Sequence, residues 1–331
     1  MSAGASAART TFPPAAPLRR VVVAGAVTLD VNRVGRRRLL RPGGVPCHAG
    51  LTYRRLGLSV LAVTSLAPAD RGLLAPLAAS GIDCRLSPSP RTTVFVNEHR
   101  GDVCRQLAPA LAAPIAAEAI VAAAAGADLL HLGPLHPGDI DPAFYRAGKP
   151  LPPVVALDLQ GLVRRVDGGR VLPGGSADLA EALALATVVK SGRGEADRAC
   201  RALGLGLERL LERFRVAEWV VSAGAEGGAV HTAGGGVHPW EAPAVEKPLD
   251  PTGAGDVFFA AYLTFRLRDR SSPGLSASRA AKIAARHVAG AFLPLPDAAG
   301  LFSAPLPDAA RRALLDRDHG AGGVQDDELS R

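Results

Sequence analysis

Residues 249–263 read LDPTGAGDVFFAAYL. Two aspartates, Asp250 and Asp256, bracket a run of small residues that leads straight into an apolar stretch. That stretch has the composition of a buried helix. The first-turn amides of a helix lack intrahelical partners, and the positive end of its dipole favours an anion. Gly253 and Gly255 would let the backbone approach a ligand closely. Asp256 stands at the helix start, where its carboxylate could accept a proton from a hydroxyl. Phosphoryl transfer asks for this pair of devices, a site for negative charge and a group that orients or deprotonates the nucleophile. Taken singly, the same residues also read as an ordinary helix cap, because Asp and Thr commonly precede helices.

The extended pattern separates the two readings. DPTGAGDVFFAAYL closely resembles the C-terminal signature of the PfkB carbohydrate kinases, the ribokinase-like family. The fixed positions of that signature, Asp, a small residue or Pro, Gly-Ala-Gly-Asp and a small-residue helix, are all met. The resemblance implies that Asp256 is the catalytic base and that the amides of Gly253, Ala254 and Gly255 form an anion hole. It also implies that Thr252 lies near the nucleotide phosphates. Asp250 is then a cap-like residue, tied to a monovalent-cation loop.

Further positions extend the resemblance over about residues 20–305. Gly25 and Asp30 match a Gly and a substrate-binding Asp after the first strand, although a surface-loop Asp would look the same. Gly43 and Gly44 match the Gly-Gly that opens the N-terminal signature. Where the family places a sugar-binding Asn, this chain has His48, which reads equally as a substrate contact or a helix-start residue. In VVKSGRGEAD, Glu195 matches an acid that orders the water around Mg2+, while Gly192 stands at the accompanying Asn position. Ser222, Gly224 and Gly227 match a turn beside the nucleotide, and His287 and Gly290 fall on the adenine side. ATP and Mg2+ are therefore the implied cofactors, with room for a monovalent cation such as K+ and for a homodimer. The substituted Asn leans the substrate class away from plain ribose or fructose, toward the divergent branch of inositol kinase-like proteins. The implied acceptor is a small polyol, a sugar or cyclitol. The alternatives are a nucleoside kinase of the same fold and a non-catalytic kinase-like binding protein.

Positioning such a site takes a rigid frame. Apolar runs such as RRVVVAGAV, SVLAVTSLA, DLLHLGPL, PVVALDLQ, ATVVKS and EWVVSAGAEGG alternate with Ala-rich helical runs. That alternation predicts an α/β fold with a mostly parallel central sheet and helices on both faces. RACRALGLGLERLLERF reads as one long helix. Segments about 30–46 and 91–107 are extended and Arg-rich without a crossover helix, and are expected to form a small β-flap lid. Residues 1–18 read as a disordered leader, 19–315 as one kinase domain and 316–331 as a flexible tail.

Composition removes other classes. The chain has 331 residues, 48% of them hydrophobic, enough for a large core. Its net charge is +7, but no dense basic run with interleaved aromatics appears, so nucleic acid is not an expected partner. No apolar run is long enough for a membrane span. Four widely spaced cysteines without a CxxC pair argue against zinc and fit a cytoplasmic location. There is no GxxxxGK[ST] loop, so phosphate must be held by another device.

Overall fold

The predicted apolar runs become strands buried on both sides, in a computed structural model that describes residues 18–34, 37–100, 103–146, 150–293, 296–298, 306, 310 and 311. The expected leader before residue 18 and the tail from residue 316 lie outside the described residues. The main sheet contains β1 (Arg20–Ala24), β4 (Ser59–Leu66), β5 (Asp83–Pro88), β8 (Leu129–Leu132), β9 (Val154–Asp158), β12 (Val188–Gly192), β13 (Glu218–Ser222), β14 (Gly228–Thr232) and β15 (Gly236–Trp240). Their order is β15-β14-β13-β12-β9-β8-β1-β4-β5. Every pair from β5 to β13 is parallel, and the pairs β13–β14 and β14–β15 at one edge are antiparallel.

Along β1 the side chains alternate between two apolar layers. Val21 and Val23 enter one, Val22 and Ala24 the other. Helices cover both layers, which is why these strands are continuously apolar rather than alternating. The helix Ala254–Leu263 lies in the first layer, with every residue from Val257 to Leu263 buried. Phe259 is fully buried there, and its truncation to Ala would cost about 3–5 kcal/mol. The tightly held helix fixes the position of its own first turn.

A second sheet stands beyond the carboxyl end of β1. It contains β2 (Thr28–Val34), β3 (Arg37–Gly43), β6 (Thr93–Arg100), β7 (Val103–Ala110), β10 (Arg164–Asp167) and β11 (Arg170–Pro173), in the order β10-β11-β7-β6-β2-β3. The expected flap segments supply the first four strands. The β10–β11 hairpin is an addition that the sequence reading assigned to no element, so the flap is larger than expected. The expected long helix is also corrected. It breaks into Arg193–Leu203 and Leu207–Phe214, because Gly204 adopts a left-handed conformation with φ of 66° that ends the first helix. Among the described residues no helix is long and apolar enough to cross a membrane.

Candidate active site

Parallel strands leave their carboxyl ends on one edge of the sheet, and ligands of open α/β folds bind outside that edge. Here β9 and β12 end side by side, with Asp158 and Lys190 in register. Lys190 Nζ donates to Asp158 Oδ2 at 3.0 Å, and both side chains are buried. Burial disfavours the lysine charge, yet the carboxylates of Asp158, Glu195 and Asp256 outweigh it and hold the Lys190 pKa above its usual value. The ammonium sits directly against the small-residue turn, since a Cβ on Gly255 would lie 2.8 Å from Lys190 Nζ.

The turn itself is locally determined. Asp250 Oδ1 accepts the Thr252 N–H at 2.9 Å, which folds the chain back before the helix. Gly253 has φ of 75°, a left-handed value suited to glycine. A side chain there would also run into the His48 ring. Ala254 N–H donates to Pro251 O at 3.1 Å, so one of the three amides expected in the anion hole is engaged within the turn. Asp256 follows in the first helical turn, its side chain 14% exposed. Its pKa is raised to about 7, first by burial and then by Asp158, with Lys190 opposing.

His48 reaches the same place from the other end of the chain. Gly44, with φ of 85° and no room for a Cβ against Ala26 O, turns β3 into the π-helical turn Pro46–Gly50. His48 Nδ1 lies 3.2 Å from Gly44 O and 3.6 Å from Asp256 Oδ2. Burial, and then the neighbouring His287, push the His48 pKa down to about 4, so the ring is neutral near neutral pH and its approach to Asp256 is not an ion pair. Gly43 is glycine because a Cβ would occupy the place of the Asp30 carboxylate. Asp30 is buried, accepts from Thr28 Oγ1 at 2.6 Å and has its pKa raised to about 7, mainly by burial.

Between the two sheets lies a cavity of about 180 Å³, whose lining includes Asp30, His48, Phe95, Asn97, Gln106 and Asp256. A chain of amides runs along its second-sheet side. Arg164 Nη1 donates to Gln106 Oε1 (2.7 Å), Gln106 Nε2 to Asn97 Oδ1 (2.6 Å), Asn97 Nδ2 to Asn32 Oδ1 (2.9 Å) and Asn32 Nδ2 to Asp250 Oδ2 (3.1 Å). Guanidinium only donates and carboxylate accepts, so the direction of every bond in the chain is fixed from its two ends. Sequence reading missed Asn32, Asn97, Gln106, Arg164, Lys190 and Asp158. The Thr28-Asp30-Asn32 alternation on β2 was the available signal.

The remaining expected residues divide into two groups. Ser222 closes β13 and its Oγ donates to Ser191 O at 3.3 Å, while Gly224 and Gly227 form the tight turn that follows. Glu195 Oε2 accepts the Gly192 N–H at 2.6 Å at the start of the helix Arg193–Leu203 that follows β12. Among the described residues no group of three or more His, Cys, Asp or Glu side chains is arranged to hold a metal. His287 and Gly290 share a second cavity, of about 190 Å³, whose lining does not include Ser222. Asp30, Asn32, His48, Asp250 and Thr252 line it with them. His287 Nε2 lies 2.9 Å from Thr252 O, and its ring meets His48 edge-on at 5.7 Å.

Comparison with known proteins identifies the family and the fold. Residues 21–291 match the profile described as pfkB family carbohydrate kinase. No curated protein matches significantly. Among solved structures, one similar fold is a pyrophosphate-dependent kinase of the ribokinase family, complexed with a pyrophosphate analog and myo-inositol. It has a TM-score of 0.69 at 19% identity, covering 81% of this chain and 95% of that one. The Burkholderia thailandensis nucleoside kinase in complex with inosine superposes with a TM-score of 0.63 at 19% identity, covering 81% and 91%. Xylella fastidiosa fructokinase with bound ATP gives 0.62 at 20%, covering 81% and 92%.

Proposed function

The chain belongs to the pfkB family of carbohydrate kinases, and on that premise we propose that it transfers the γ-phosphoryl group of ATP to a hydroxyl of a small neutral polyol held between the second sheet and Asp256. The observation that carries this reading is the lining of the acceptor cavity. Among the described residues it offers amides, carboxyls and the Phe95 face, and no Lys or Arg, the Arg41 side chain lining the adjoining cavity instead. Such a lining suits hydroxyl groups that both donate and accept, and an apolar C–H face against the ring. It does not suit an anionic acceptor. Its volume of about 180 Å³ matches a compact acceptor. A cyclitol ranks first, on the likeness to the kinase solved with myo-inositol.

In this reading Asp30, Gly43, Gly44 and His48 hold the acceptor. Its reacting hydroxyl donates to Asp256, which takes the proton as the oxygen attacks the γ-phosphorus and ADP departs. A carboxylate with a pKa of about 7 is matched to that work near neutral pH. The turn presents the Gly253 and Gly255 amides to the transferring group, the Ala254 amide being engaged by Pro251 O, with the Lys190 ammonium behind it. Ser222, Gly224 and Gly227 face the nucleotide and Thr252 its phosphates, whereas His287 enters through the Thr252 carbonyl it holds. Glu195, with one oxygen taken by the Gly192 N–H, would order the water shell of a nucleotide-bound Mg2+, which would offset phosphate charge. Strands β2, β3, β6 and β7 act as the lid of one kinase unit spanning about residues 19–315.

The test is a matrix of donors and acceptors. ATP and pyrophosphate are each offered with myo-inositol, ribose, fructose and inosine, and phosphate esters are followed by mass spectrometry. The expected result is an ester of one uncharged polyol formed from ATP. A protein that binds ATP and phosphorylates none of them would be the non-catalytic alternative.

A further inference from the structure

A cation-binding loop needs several oxygens with free lone pairs turned on one point, because hard cations are held by carboxylate and carbonyl oxygens, and every hydrogen bond an oxygen accepts takes one of its two lone pairs from that use. The resemblance placed such a loop around Asp250, and the donors found there do not fit it. Asp250 Oδ1 accepts the Thr252 N–H, and Oδ2 accepts the Asn32 amide. The Asn32 amide cannot turn round to offer its oxygen instead. Its own oxygen is held by Asn97, whose oxygen is held by Gln106, whose oxygen is held by Arg164. The Thr252 carbonyl also accepts, from His287 Nε2 at 2.9 Å, which takes one of its two lone pairs. A carbonyl can only accept, so that nitrogen carries the hydrogen.

The rest of the imidazole completes the picture. Among the described residues His287 Nδ1 is buried without a hydrogen-bond partner. A charged ring would bury a second N–H there with nothing to receive it, at a cost that a bare lone pair avoids in part. Burial lowers the His287 pKa in the same direction, against the Thr252 bond and Asp250. His287 is 7% exposed and its ring rests edge-on against His48, so it is held in this orientation from two sides.

We propose that this kinase works without a monovalent cation, and that the His287 N–H holds the Thr252 carbonyl, and through it the catalytic turn, in the place where a cation would otherwise do so. His287 is a positioning residue here. It touches neither reacting atom and acts through Thr252, the residue before Gly253. The kinetic part of this proposal rests on the kinase reading above, whereas cation binding itself does not.

Two measurements test it. Thermal unfolding of the wild-type protein is compared in KCl and in tetramethylammonium chloride at equal ionic strength, with no substrate present. The expected result is the same midpoint in both salts, since a ligand that bound the folded state would raise it. A K+-specific rise, or saturable K+ activation of the wild-type enzyme, overturns the proposal. The second measurement compares His287→Ala with His287→Gln. The Ala variant is expected to lose about tenfold in kcat/KM, the size of one positioned hydrogen bond. It should regain several-fold with K+, which can then reach the exposed carbonyl. Gln, whose amide can donate to Thr252 O, should restore most of the loss without K+. A loss that neither K+ nor Gln repairs, or no loss at all, removes the role assigned to His287. Should the Ala variant not fold, the wild-type midpoints and the Gln variant still decide. A protein that proves to have no kinase activity leaves the thermal comparison intact, so the two failures are distinguishable.

Discussion

The turn from Asp250 to Asp256 takes its shape from consecutive residues, whereas the acceptor side of the same cavity is assembled from strands far apart in the chain. On the turn side, a side-chain bond between near neighbours, a left-handed Gly253 and a buried helix determine the geometry. On the acceptor side, Asn32, Asn97 and Gln106 meet only because β2, β6 and β7 pair in one register. A slip of one residue in any of these strands would turn the amides away from the cavity. In the proposed reaction the chemistry falls to the local element and the choice of acceptor to the distributed one. It also makes the acceptor side the easier of the two to alter without abolishing the reaction.

Four changes bear on that division, in descending size. Asp256→Asn removes the proposed base and should lower kcat by about 10²–10⁴, the usual weight of general-base catalysis; steady-state kinetics with the best acceptor reads it. A residual rate within tenfold of wild type would move the chemistry elsewhere. Lys190→Met leaves Asp158 buried without its partner and should cost about 3–5 kcal/mol in denaturant unfolding. Because Lys190 lowers the Asp256 pKa, the acid limb of the rate profile should also move to higher pH. Asn97→Ala breaks the amide chain at its middle and should raise the acceptor KM about tenfold while changing kcat far less. Equal losses in both constants would blur the two sides into one. The smallest effect is read from pH alone. Asp256 must be deprotonated to act, and its pKa is raised to about 7, so kcat/KM should fall about tenfold per unit below that value and level off above it.

The same contrast governs how much could be read from sequence. The Gly-Ala-Gly-Asp turn was legible because its determinants are adjacent, and so was the parallel sheet, whose strands are continuous apolar runs. The pair Gly43 and Gly44 was legible as a motif, and its physical reasons, room for the Asp30 carboxylate and a left-handed turn at Gly44, appear only in the fold. Asp158 and Lys190 lie on strands that neighbour each other by sheet order, which no local pattern encodes. Asn97 and Gln106 needed the register of the second sheet. Asn32 was half visible, two residues beyond Asp30 on the same face of β2. At position 48, sequence showed a departure from the family, and the structure shows its consequence, a neutral ring filling the space beside Gly253 and bonding Gly44 O.

The central claim is that Asp256 performs the proton transfer while the opposite sheet does the binding. Calorimetric titration of the preferred polyol into the Asp256→Asn protein, set beside its turnover, tests that claim most directly. The account predicts an acceptor Kd within about threefold of wild type, because the amide and Asp30 contacts survive, together with turnover reduced by at least about 100-fold. Acceptor affinity lost in step with turnover would contradict it, since Asp256 would then be holding the substrate rather than taking its proton.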